Sequence, residues 1–451
     1  MIDGDAMRRC GYLRLMKARI QLVIGVLALL AATPAAAALS PAEQVMVRTV
    51  DAEQARTLTM LEKWVNQNSG SLNLPGVAAV GEMLRAELEP LGFKVEWIDM
   101  KAAARAGHIV ARHAGKRGAK RLLLIGHLDT VFEPDSPFHR WVREGDVARG
   151  PGAGDDKGGM AAMVAALRAM QAAGTLKPAN ITIVLTGDEE DAGSPISISR
   201  RDLIAEGKRA DAALDFEGLA VVEGRDMGSI ARRSASNWTV TVTGKSAHSS
   251  GVGRPGTGYG AIYELARIID QFRRELPEDK LTFNVGLIGG GQSAILDAGK
   301  IRLTATGKTN IIASTAVARG DLRAISQEQI DRAQGKMRAI IAQPLEGAQA
   351  ELGFDAKLYP PMPPTAGSRA LLARLNSVNR DLGLAEMGEL DPVRRGAGDI
   401  SFVAADVDGL VGLGPSSSGD HTPNETLELP SVTKQAKRAA ILMSRLARER
   451  R

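Results

Sequence analysis

Residues 121–131 read R-L-L-L-I-G-H-L-D-T-V, and residues 150–159 read G-P-G-A-G-D-D-K-G-G. The apolar run Leu122–Ile125 predicts a short buried strand. His127 and Asp129 follow directly, and alternate side chains of an extended chain point the same way. A metal-binding histidine needs an acceptor for its second ring nitrogen, and a nearby carboxylate provides one. These residues therefore predict half of a metal site at the end of a central strand.

The second stretch is rich in glycine and precedes an apolar helix predicted over Met160–Ala173. It could be taken for a phosphate-binding loop. However, Lys157 is followed by Gly158, where such a loop has Ser or Thr, and the spacing to the earlier glycines is wrong. The sequence favours a tight turn that presents Asp155 over a nucleotide site.

Apolar runs at 181–185 and 212–216 predict further buried strands, separated by helical segments. Buried strands that alternate with helices indicate a parallel sheet covered by helices. From about Arg232 the pattern changes, since residues 238–244 alternate strictly between apolar and polar. Three more β-like segments and two helical patterns accompany this strand, which predicts an α+β insert with an antiparallel sheet.

The helix–strand pattern resumes after the proline-rich segment 359–364. We therefore predict an α/β fold with a mostly parallel sheet and helices on both faces, formed by residues 39–231 and 358–451. An α+β domain with an antiparallel sheet, at residues 232–357, interrupts it. A chain of 451 residues is long enough for two such domains.

Composition narrows the class of protein. Apolar residues make up 44% and charged residues 24%, which is ordinary for a globular protein. Aromatic content of 4% argues against stacking platforms for nucleic acid. Residues 1–38 hold five basic and two acidic side chains, a net +3, which leaves about +2 of the total +5 for the remainder. This small charge does not indicate a nucleic-acid partner.

The amino terminus has the layout of a secretory signal peptide at residues 1–38. A basic segment precedes the apolar run Ile20–Ala32, and small residues follow it. The run is short for a membrane anchor, which is the alternative. We expect cleavage after Ala37 or Ala38, and a periplasmic or secreted product without membrane attachment. Cys10 is the only cysteine and precedes the run, so any zinc in the mature chain must be held by His, Asp and Glu.

Acidic residues and a histidine follow the other predicted strands. Four consecutive acids at 188–191 follow one strand, and a solvated acidic turn is the ordinary reading of such a run. In a parallel sheet, however, ligands gather beyond the carboxyl ends of the strands. Glu189 or Glu190, Glu217 and His421 would all lie at that edge. Clustered carboxylates there would be stabilised by divalent cations.

Together these motifs resemble a known family. They are H-x-D-T-V, G-x-G-x-x-D-x-K-G-G, a D-E-E after a strand, a later Glu, and G-K-S-A-H at 244–248. In this order they resemble the di-zinc metallopeptidase and amidohydrolase family. It includes glutamate carboxypeptidase, succinyl-diaminopimelate desuccinylase, acetylornithine deacetylase and aminoacylase, and the resemblance covers essentially the whole mature chain.

The resemblance implies two zinc ions per subunit, with Co²⁺ as an alternative metal. The implied ligands are His127 and Glu217 on one metal, Glu190 and His421 on the other, and Asp155 between them. Asp129 would orient the first histidine. Glu189 would be the general base that takes a proton from the attacking water. Family members often have a cis peptide between the positions of Asp155 and Asp156.

The insert resembles the family's lid and dimerisation domain, which implies a homodimer. His248 matches a histidine that reaches the partner subunit's site to stabilise an oxyanion. Asn310 and Arg323 match substrate-binding residues, and Arg323 is suited to a carboxylate. Gly396 begins a glycine-rich loop that matches a substrate loop. Arg394 and Arg395 stand beside this loop and could add a second carboxylate contact.

We therefore expect an exported di-zinc peptidase that acts on small peptides, at an amide bond next to a free carboxylate. Glu217, where aminopeptidase relatives have Asp, favours the carboxypeptidase and deacylase branch. The alternative enzyme is an N-acyl-amino-acid deacylase with the same mechanism. A binding protein that keeps the fold without catalysis is disfavoured, because every implied ligand and the base Glu189 are present.

Overall fold

The structure of the protein is a computed structural model that describes residues 39–356 and 359–451. The predicted signal peptide at residues 1–38 lies outside the described residues, as does the predicted domain boundary at 357 and 358. The helices are α1 (Pro41–Ala52), α2 (Gln54–Val65), α3 (Leu74–Leu88), α4 (Lys157–Ala172), α5 (Ile196–Ser199), α6 (Arg201–Gly207), α7 (Ala261–Glu275), α8 (Gln327–Ile341), α9 (Ala366–Asp381) and α10 (Leu429–Leu446).

The strands fall into a large sheet, a four-stranded sheet in the insert and three small ones. They are β1 (Lys94–Asp99), β2 (Gly107–His113), β3 (Arg121–His127), β4 (Val142–Glu144), β5 (Val147–Arg149), β6 (Asn180–Thr186), β7 (Ala212–Asp215), β8 (Ala220–Val222), β9 (Arg225–Gly228), β10 (Ser236–Gly244), β11 (Thr282–Gly291), β12 (Ser293–Leu296), β13 (Leu303–Thr306), β14 (Thr315–Arg323), β15 (Ala348–Phe354), β16 (Gly388–Glu389), β17 (Gly409–Val411), β18 (Ser417–Ser418) and β19 (Thr426–Glu428).

The large sheet has six strands in the order β1-β2-β6-β3-β7-β17. β3 pairs in parallel with both β6 and β7, and β7 pairs in parallel with β17. β2 is antiparallel to both of its neighbours, so one strand runs against the other five. The predicted mostly parallel sheet is confirmed, and β3 lies in its parallel half.

Helices cover both faces of this sheet, as predicted. Leu122 and Leu124 of β3 belong to the core formed with α1 to α4 and α10. Leu123 and Ile125 point to the opposite face and pack with Leu203 of α6 and with the turn after residue 398. The continuous apolar run of β3 therefore reflects burial on both faces.

The amino-terminal helix differs in one respect from the prediction. The sequence predicts one helix over residues 41–66, whereas the structure has α1 and α2 with a break at Glu53. Met46 of α1 and Trp64 of α2 are both fully buried in the core beneath α4. The break lets two short helices face the same core, which a single straight helix would not do.

The insert forms a four-stranded sheet in the order β11-β14-β10-β15, with every pair antiparallel. Trp238 of β10 anchors a separate core, stacked on Phe283 and edge-on to Phe272 of α7. The α+β character of the insert is confirmed, while its exact boundaries stay a prediction. Among the helices of the described residues, none is long and apolar enough to cross a membrane.

Candidate active site

The parallel strands deliver the predicted site residues to one edge of the large sheet. β3 ends at His127, β6 ends three residues before Glu189, and β7 ends two residues before Glu217. Asp155 lies two residues before the first residue of α4, and His421 lies in the loop after β18. Because the strands run in parallel, residues distant in the chain meet at their carboxyl ends.

Asp155 joins the two histidines of the site. Its Oδ1 lies 2.9 Å from Nε2 of His127, and its Oδ2 lies 3.1 Å from Nε2 of His421. Nε2 of His421 is also 3.1 Å from Oε2 of Glu190. Ligand atoms of His127, Asp155 and Glu190 all lie within 4.8 Å of one another. The structure thus brings together four of the five predicted ligands, with the Asp155 carboxylate between the two histidines.

The glycine-rich turn is shaped to present Asp155. The carboxylate of Glu425 accepts the backbone N–H groups of Gly152, Gly154 and Asp155 at 3.1, 2.8 and 3.2 Å. A Cβ on Gly154 would lie 2.3 Å from the side chain of Ser417, so no larger residue fits there. The peptide between Asp155 and Asp156 is cis, as the resemblance implies. The sequence analysis did not identify Glu425, which contacts this turn from about 270 residues away.

Asp129 contacts both His127 and the turn that carries Glu189 and Glu190. Its backbone carbonyl oxygen lies 3.0 Å from Nδ1 of His127, and its carboxylate Oδ1 is 3.4 Å from the same nitrogen. The carboxylate accepts the backbone N–H groups of Glu189 and Glu190 at 3.0 and 3.1 Å, and the hydroxyl of Ser71 at 2.5 Å. Asp129 therefore positions the turn of the two glutamates as well as the histidine.

Glu217 lies in the same cavity but forms an ion pair. Its Oε2 is 2.6 Å from Nη2 of Arg232, and Nη1 of Arg232 is 3.6 Å from Asp215. Oδ1 of Asp215 accepts the backbone N–H of Glu217 at 3.1 Å. In the sequence, Arg232 indicates only where the helix–strand pattern gives way to the insert, and it had no predicted role in the site. The Arg232 guanidinium compensates the negative charges of Glu217 and Asp215 at the end of β7.

Burial raises the pKa of several carboxyls in the site. Burial and the charge of Glu217 raise the pKa of Glu189 well above its usual range. Burial raises the pKa of Glu190 to about 7, and burial with repulsion from Glu217 raises that of Asp215 to about 7. Hydrogen bonds from His127 and His421 outweigh burial at Asp155 and hold its pKa well below the usual range.

The site lines a cavity of about 280 Å³ whose lining also includes three arginines. Its lining residues are Gly154, Asp155, Glu189, Glu190, Glu217, Gly218, Arg232, Arg394, Arg395, Gly396, Ala397, Ser417, Asp420 and His421. Gly396, which the resemblance implies is in a substrate loop, is one of these lining residues. A larger cavity of about 870 Å³, beside the carboxyl terminus, contains none of the predicted site residues.

The predicted lid residues do not line this cavity. His248 is exposed, and its Nδ1 accepts the backbone N–H of Ser250 at 3.2 Å. Asn310 is exposed as well. It lies beside His248, because its backbone carbonyl oxygen accepts the N–H of the next residue, Ser249, at 2.9 Å. Nε of Arg323 donates to Asp321 at 3.0 Å. In a single chain these residues are not brought to the ligand cluster.

The structure excludes one alternative reading near the site and shows that one prediction is wrong. The acids at 188–191 are not a uniformly solvated turn, because Asp188 is fully buried against Arg200 at 2.5 Å. The sequence around His108 predicts a surface-like strand and hence a solvated side chain. It is buried, with Nε2 2.8 Å from the carbonyl oxygen of Ser199 and Nδ1 accepting the N–H of Gly187. In both cases the partner lies on another segment of the chain, so the polarity of the neighbouring residues did not indicate that the side chain is buried.

Comparisons with known proteins agree with this geometry. Carboxypeptidase G2 of Pseudomonas sp. (strain RS-16) is 32% identical over 299 residues, which are 64% of this chain and 65% of that protein. A succinyl-diaminopimelate desuccinylase of Novosphingobium aromaticivorans is 34% identical over 185 residues, 39% of this chain and 47% of that protein. The matched segments thus span less than two thirds of either relative.

Among solved structures, a tripeptidase from Staphylococcus aureus superposes with a TM-score of 0.70 at 21% identity, covering 88% of this chain and 99% of that chain. This likeness concerns the fold. The sequence profile described as peptidase family M20/M25/M40 matches residues 123–446, which include His127, Asp155, Glu189, Glu190, Glu217 and His421. The chain belongs to peptidase family M20/M25/M40.

Proposed function

We propose that this chain is an exported zinc-dependent hydrolase that cleaves a C-terminal amide bond next to a free carboxylate, as a glutamate carboxypeptidase does. The observation that carries this proposal is the cluster of His127, Asp155 and Glu190, whose ligand atoms lie within 4.8 Å of one another. Glu189 lines the same cavity without belonging to that cluster. A ligand cluster beside a separate carboxylate is the arrangement that metal-assisted hydrolysis requires.

The donor set fits two zinc ions. Imidazole nitrogens and carboxylate oxygens are zinc ligands in proteins, and the described chain offers them without cysteine. His127 and Glu217 would hold one ion, Glu190 and His421 the other, with Asp155 shared. The raised pKa values of the buried carboxyls indicate crowded negative charge that divalent cations would stabilise. When bound, zinc supplies Lewis-acid chemistry toward an amide carbonyl and lowers the pKa of water.

Glu189 is the general base of the proposed reaction. Asp129 accepts its backbone N–H at 3.0 Å, and Tyr359 donates to its carbonyl oxygen at 2.8 Å, so the peptide that carries the base is held on both sides. Burial raises the pKa of Glu189, which suits a carboxylate that takes a proton from the attacking water. The same carboxyl then returns the proton to the leaving amine.

The lid would supply the contacts to the substrate. Arg323 and Asn310 would bind the carboxylate next to the scissile bond, together with the backbone of the loop at Gly396. His248 would act in the site of a second subunit, because it is exposed and lies outside the cavity of its own chain. The functional unit would therefore be a homodimer formed through the lid.

The alternative function is hydrolysis of N-acyl amino acids by the same residues. The similarity to succinyl-diaminopimelate desuccinylases supports this alternative. Export rests on the basic segment, the apolar run Ile20–Ala32 and the small residues after it. It places the expected substrates outside the cytoplasm, which favours peptides over biosynthetic intermediates.

The proposal is tested by an amino-acid release assay on C-terminal dipeptides and N-acyl amino acids. Chelation should abolish release and added zinc should restore it. Glu189→Ala should lower kcat by at least about a hundredfold while the protein keeps its zinc. Glu144→Ala, an exposed acid on β4, is the matched control. Wild-type turnover in the chelated protein, or in Glu189→Ala, would contradict the proposed mechanism.

A further inference from the structure

A second cavity lies at the far end of α4 from the active site. Its volume is about 870 Å³, and its walls come from the loop between β2 and β3, the turn after α4, the end of α10 and the residues that follow α10. α4 begins two residues after Asp155 and runs for 16 residues, which is about 24 Å. Among the described residues, none lines both this cavity and the active-site cavity. The cavity is therefore a separate site, with a volume typical of small-molecule pockets.

The lining of this cavity is strongly basic. It includes five cationic side chains and one carboxylate, a net charge of +4, and these residues are Lys116, Arg117, Arg448, Arg450, Arg451 and Glu449. Residues 39–451 together carry only about +2. Positive charge is thus concentrated at this cavity, which favours an anionic ligand.

Four of these cations lack an anionic partner among the described residues. Glu449 pairs with Lys120 and Arg374 at 2.5 and 2.8 Å, and Arg451 pairs with Asp211 at 3.1 Å. The lining cations that form no ion pair with a described residue are Lys116, Arg117, Arg448 and Arg450. All four are exposed, so a ligand can reach them. Like charges on one concave wall repel one another, and an anion between them would relieve that repulsion.

The segments that carry these cations are held together by their backbones. The N–H of Lys120 donates to the carbonyl oxygen of Glu449 at 3.0 Å, which ties the loop between β2 and β3 to the residues after α10. The N–H of Lys116 donates to the carbonyl oxygen of Pro178 at 2.9 Å, which ties the same loop to the turn after α4. The cations therefore belong to one connected wall, and their backbone positions are fixed relative to one another.

Ser444 of α10 adds a buried polar group to the lining. Its side chain is 2% exposed, and its hydroxyl has no hydrogen-bond partner among the described residues. A buried hydroxyl without a partner is destabilising, so such hydroxyls are normally satisfied. The lining also includes residues with small side chains or none, namely Ala42, Ala173, Gly174 and Ala447. The cavity thus combines four unpaired cations with a hydrogen-bond donor that lacks an acceptor.

We propose that this cavity binds a ligand that carries a phosphate monoester or a diphosphate. Such a group brings two or more negative charges in a compact form, which suits four cations better than the single charge of a carboxylate. Guanidinium groups bind phosphate oxygens through parallel hydrogen bonds. The arginines at 448 and 450 and the cations of the facing loop hold the phosphate, and the hydroxyl of Ser444 donates to another oxygen of the ligand.

Glycerol 3-phosphate is the soluble probe, and glycerate, which carries a carboxylate in place of the phosphate, is its control. In calorimetry at constant ionic strength, the wild type should bind glycerol 3-phosphate at least about tenfold tighter than glycerate. Arg448→Gln/Arg450→Gln should reduce that ratio to within about threefold. Arg225→Gln/Arg254→Gln removes two exposed arginines outside the cavity and should keep the wild-type ratio. A ratio that is undiminished in the first double variant, or equally diminished in both, would overturn the proposal.

Ser444→Ala separates a contact with the ligand from a structural role. Because the hydroxyl has no described partner in the protein, its removal should not lower the unfolding temperature of the ligand-free protein. It should weaken the binding of glycerol 3-phosphate by roughly threefold to thirtyfold, since a hydrogen bond to a charged group is lost. Unchanged binding would overturn the proposed site, because its buried donor would then not contact the ligand.

Vesicles show whether the phosphate belongs to a soluble ligand or to a lipid. Co-sedimentation compares phosphatidylcholine vesicles with and without phosphatidic acid, whose headgroup is a phosphate monoester. A lipid ligand should increase the bound protein at least about fivefold with phosphatidic acid, and Arg448→Gln/Arg450→Gln should abolish the increase. Equal sedimentation together with calorimetric binding assigns the site to a soluble ligand. Absence of binding in both assays would overturn the proposal. None of these assays measures hydrolysis, so their outcome is independent of the proposed function.

Discussion

The phenol of Tyr359 donates a hydrogen bond to the carbonyl oxygen of Glu189 at 2.8 Å, and it accepts one from Nη2 of Arg200 at 2.9 Å. Arg200 is fully buried and pairs with Asp188 at 2.5 Å and with Asp399 at 2.6 Å. The buried Arg200 thus contacts three segments. They are the turn that carries the proposed base, the loop that begins at Gly396, and the segment at Tyr359 that follows the insert.

Tyr359→Phe should lower kcat and leave KM within about twofold, because it removes only the hydroxyl that holds the carbonyl of Glu189. The hydroxyl also accepts a hydrogen bond from Arg200, and loss of two buried hydrogen bonds costs about 2 kcal/mol, so the protein should remain folded. Steady-state kinetics measure the split between kcat and KM. Tyr259→Phe, at a tyrosine that is 46% exposed on the lid, is the control. A change confined to KM would mean that Tyr359 does not position the base.

Arg200→Met should reduce the free energy of unfolding by about 3–5 kcal/mol, because it leaves two buried carboxylates without their cation. Urea unfolding followed by circular dichroism measures this loss. Arg201→Met removes the adjacent arginine, whose side chain is 63% exposed and forms an ion pair with Asp202. We expect it to change stability by less than about 0.5 kcal/mol. Similar losses in the two variants would contradict the role given to Arg200.

The edge of the sheet that forms the site could be predicted from the sequence. Apolar runs mark the buried strands, and His127, Glu190 and Glu217 each follow such a run closely. The rule that ligands gather at the carboxyl ends of parallel strands then brings them together. His421 follows its strand at a greater distance, and the same rule also predicts it at this edge, while the resemblance to a family implied which metal it would bind.

The charges that support the site could not be predicted. Arg200, Arg232 and Glu425 each contact a partner on another segment, and no periodicity or motif marks such pairs. Sequence patterns report which face of an element is buried. They do not report which buried charge meets which, because that depends on how the strands and loops pack. For the same reason the local sequence predicts a surface position for His108, whereas the side chain is buried.

Zinc affinity should rise with pH. Hydrogen bonds to Asp155 and Glu190 raise the pKa of His421 to about 11 in the metal-free protein, so a proton competes with zinc at lower pH. Each zinc bound at this histidine should release a proton. Calorimetry in buffers of different ionisation enthalpy measures the release between about pH 6 and 9. It should fall in His421→Ala and not in His113→Ala, which lies on β2. An affinity independent of pH would contradict this prediction.

Asp129→Asn should weaken zinc binding and lower kcat together. The carboxylate accepts two N–H groups, those of Glu189 and Glu190, and an amide can present at most one oxygen to them. The turn that carries both a proposed ligand and the proposed base would therefore move. Ser71→Ala removes only the hydroxyl that donates to the same carboxylate, and its effect should be much smaller. Metal analysis after dialysis and steady-state kinetics compare the two. Intact zinc content with normal kcat in Asp129→Asn would show that the turn is held by other contacts.

His248 should act across a dimer interface, and complementation tests this directly. Because Nδ1 of His248 accepts the N–H of Ser250, the neutral ring carries its proton on Nε2 and can donate from there to an oxyanion. Glu189→Gln and His248→Ala should each be nearly inactive as homodimers. In a co-expressed heterodimer, one site receives Glu189 from one subunit and His248 from the other. Random pairing should therefore restore about a quarter of the wild-type turnover. Coexpression of Glu189→Gln with Asp155→Asn should restore none, because both changes disable a subunit's own site. If His248→Ala alone keeps full turnover, or if the first pair gives no recovery although heterodimers form, the histidine does not act in the partner's site.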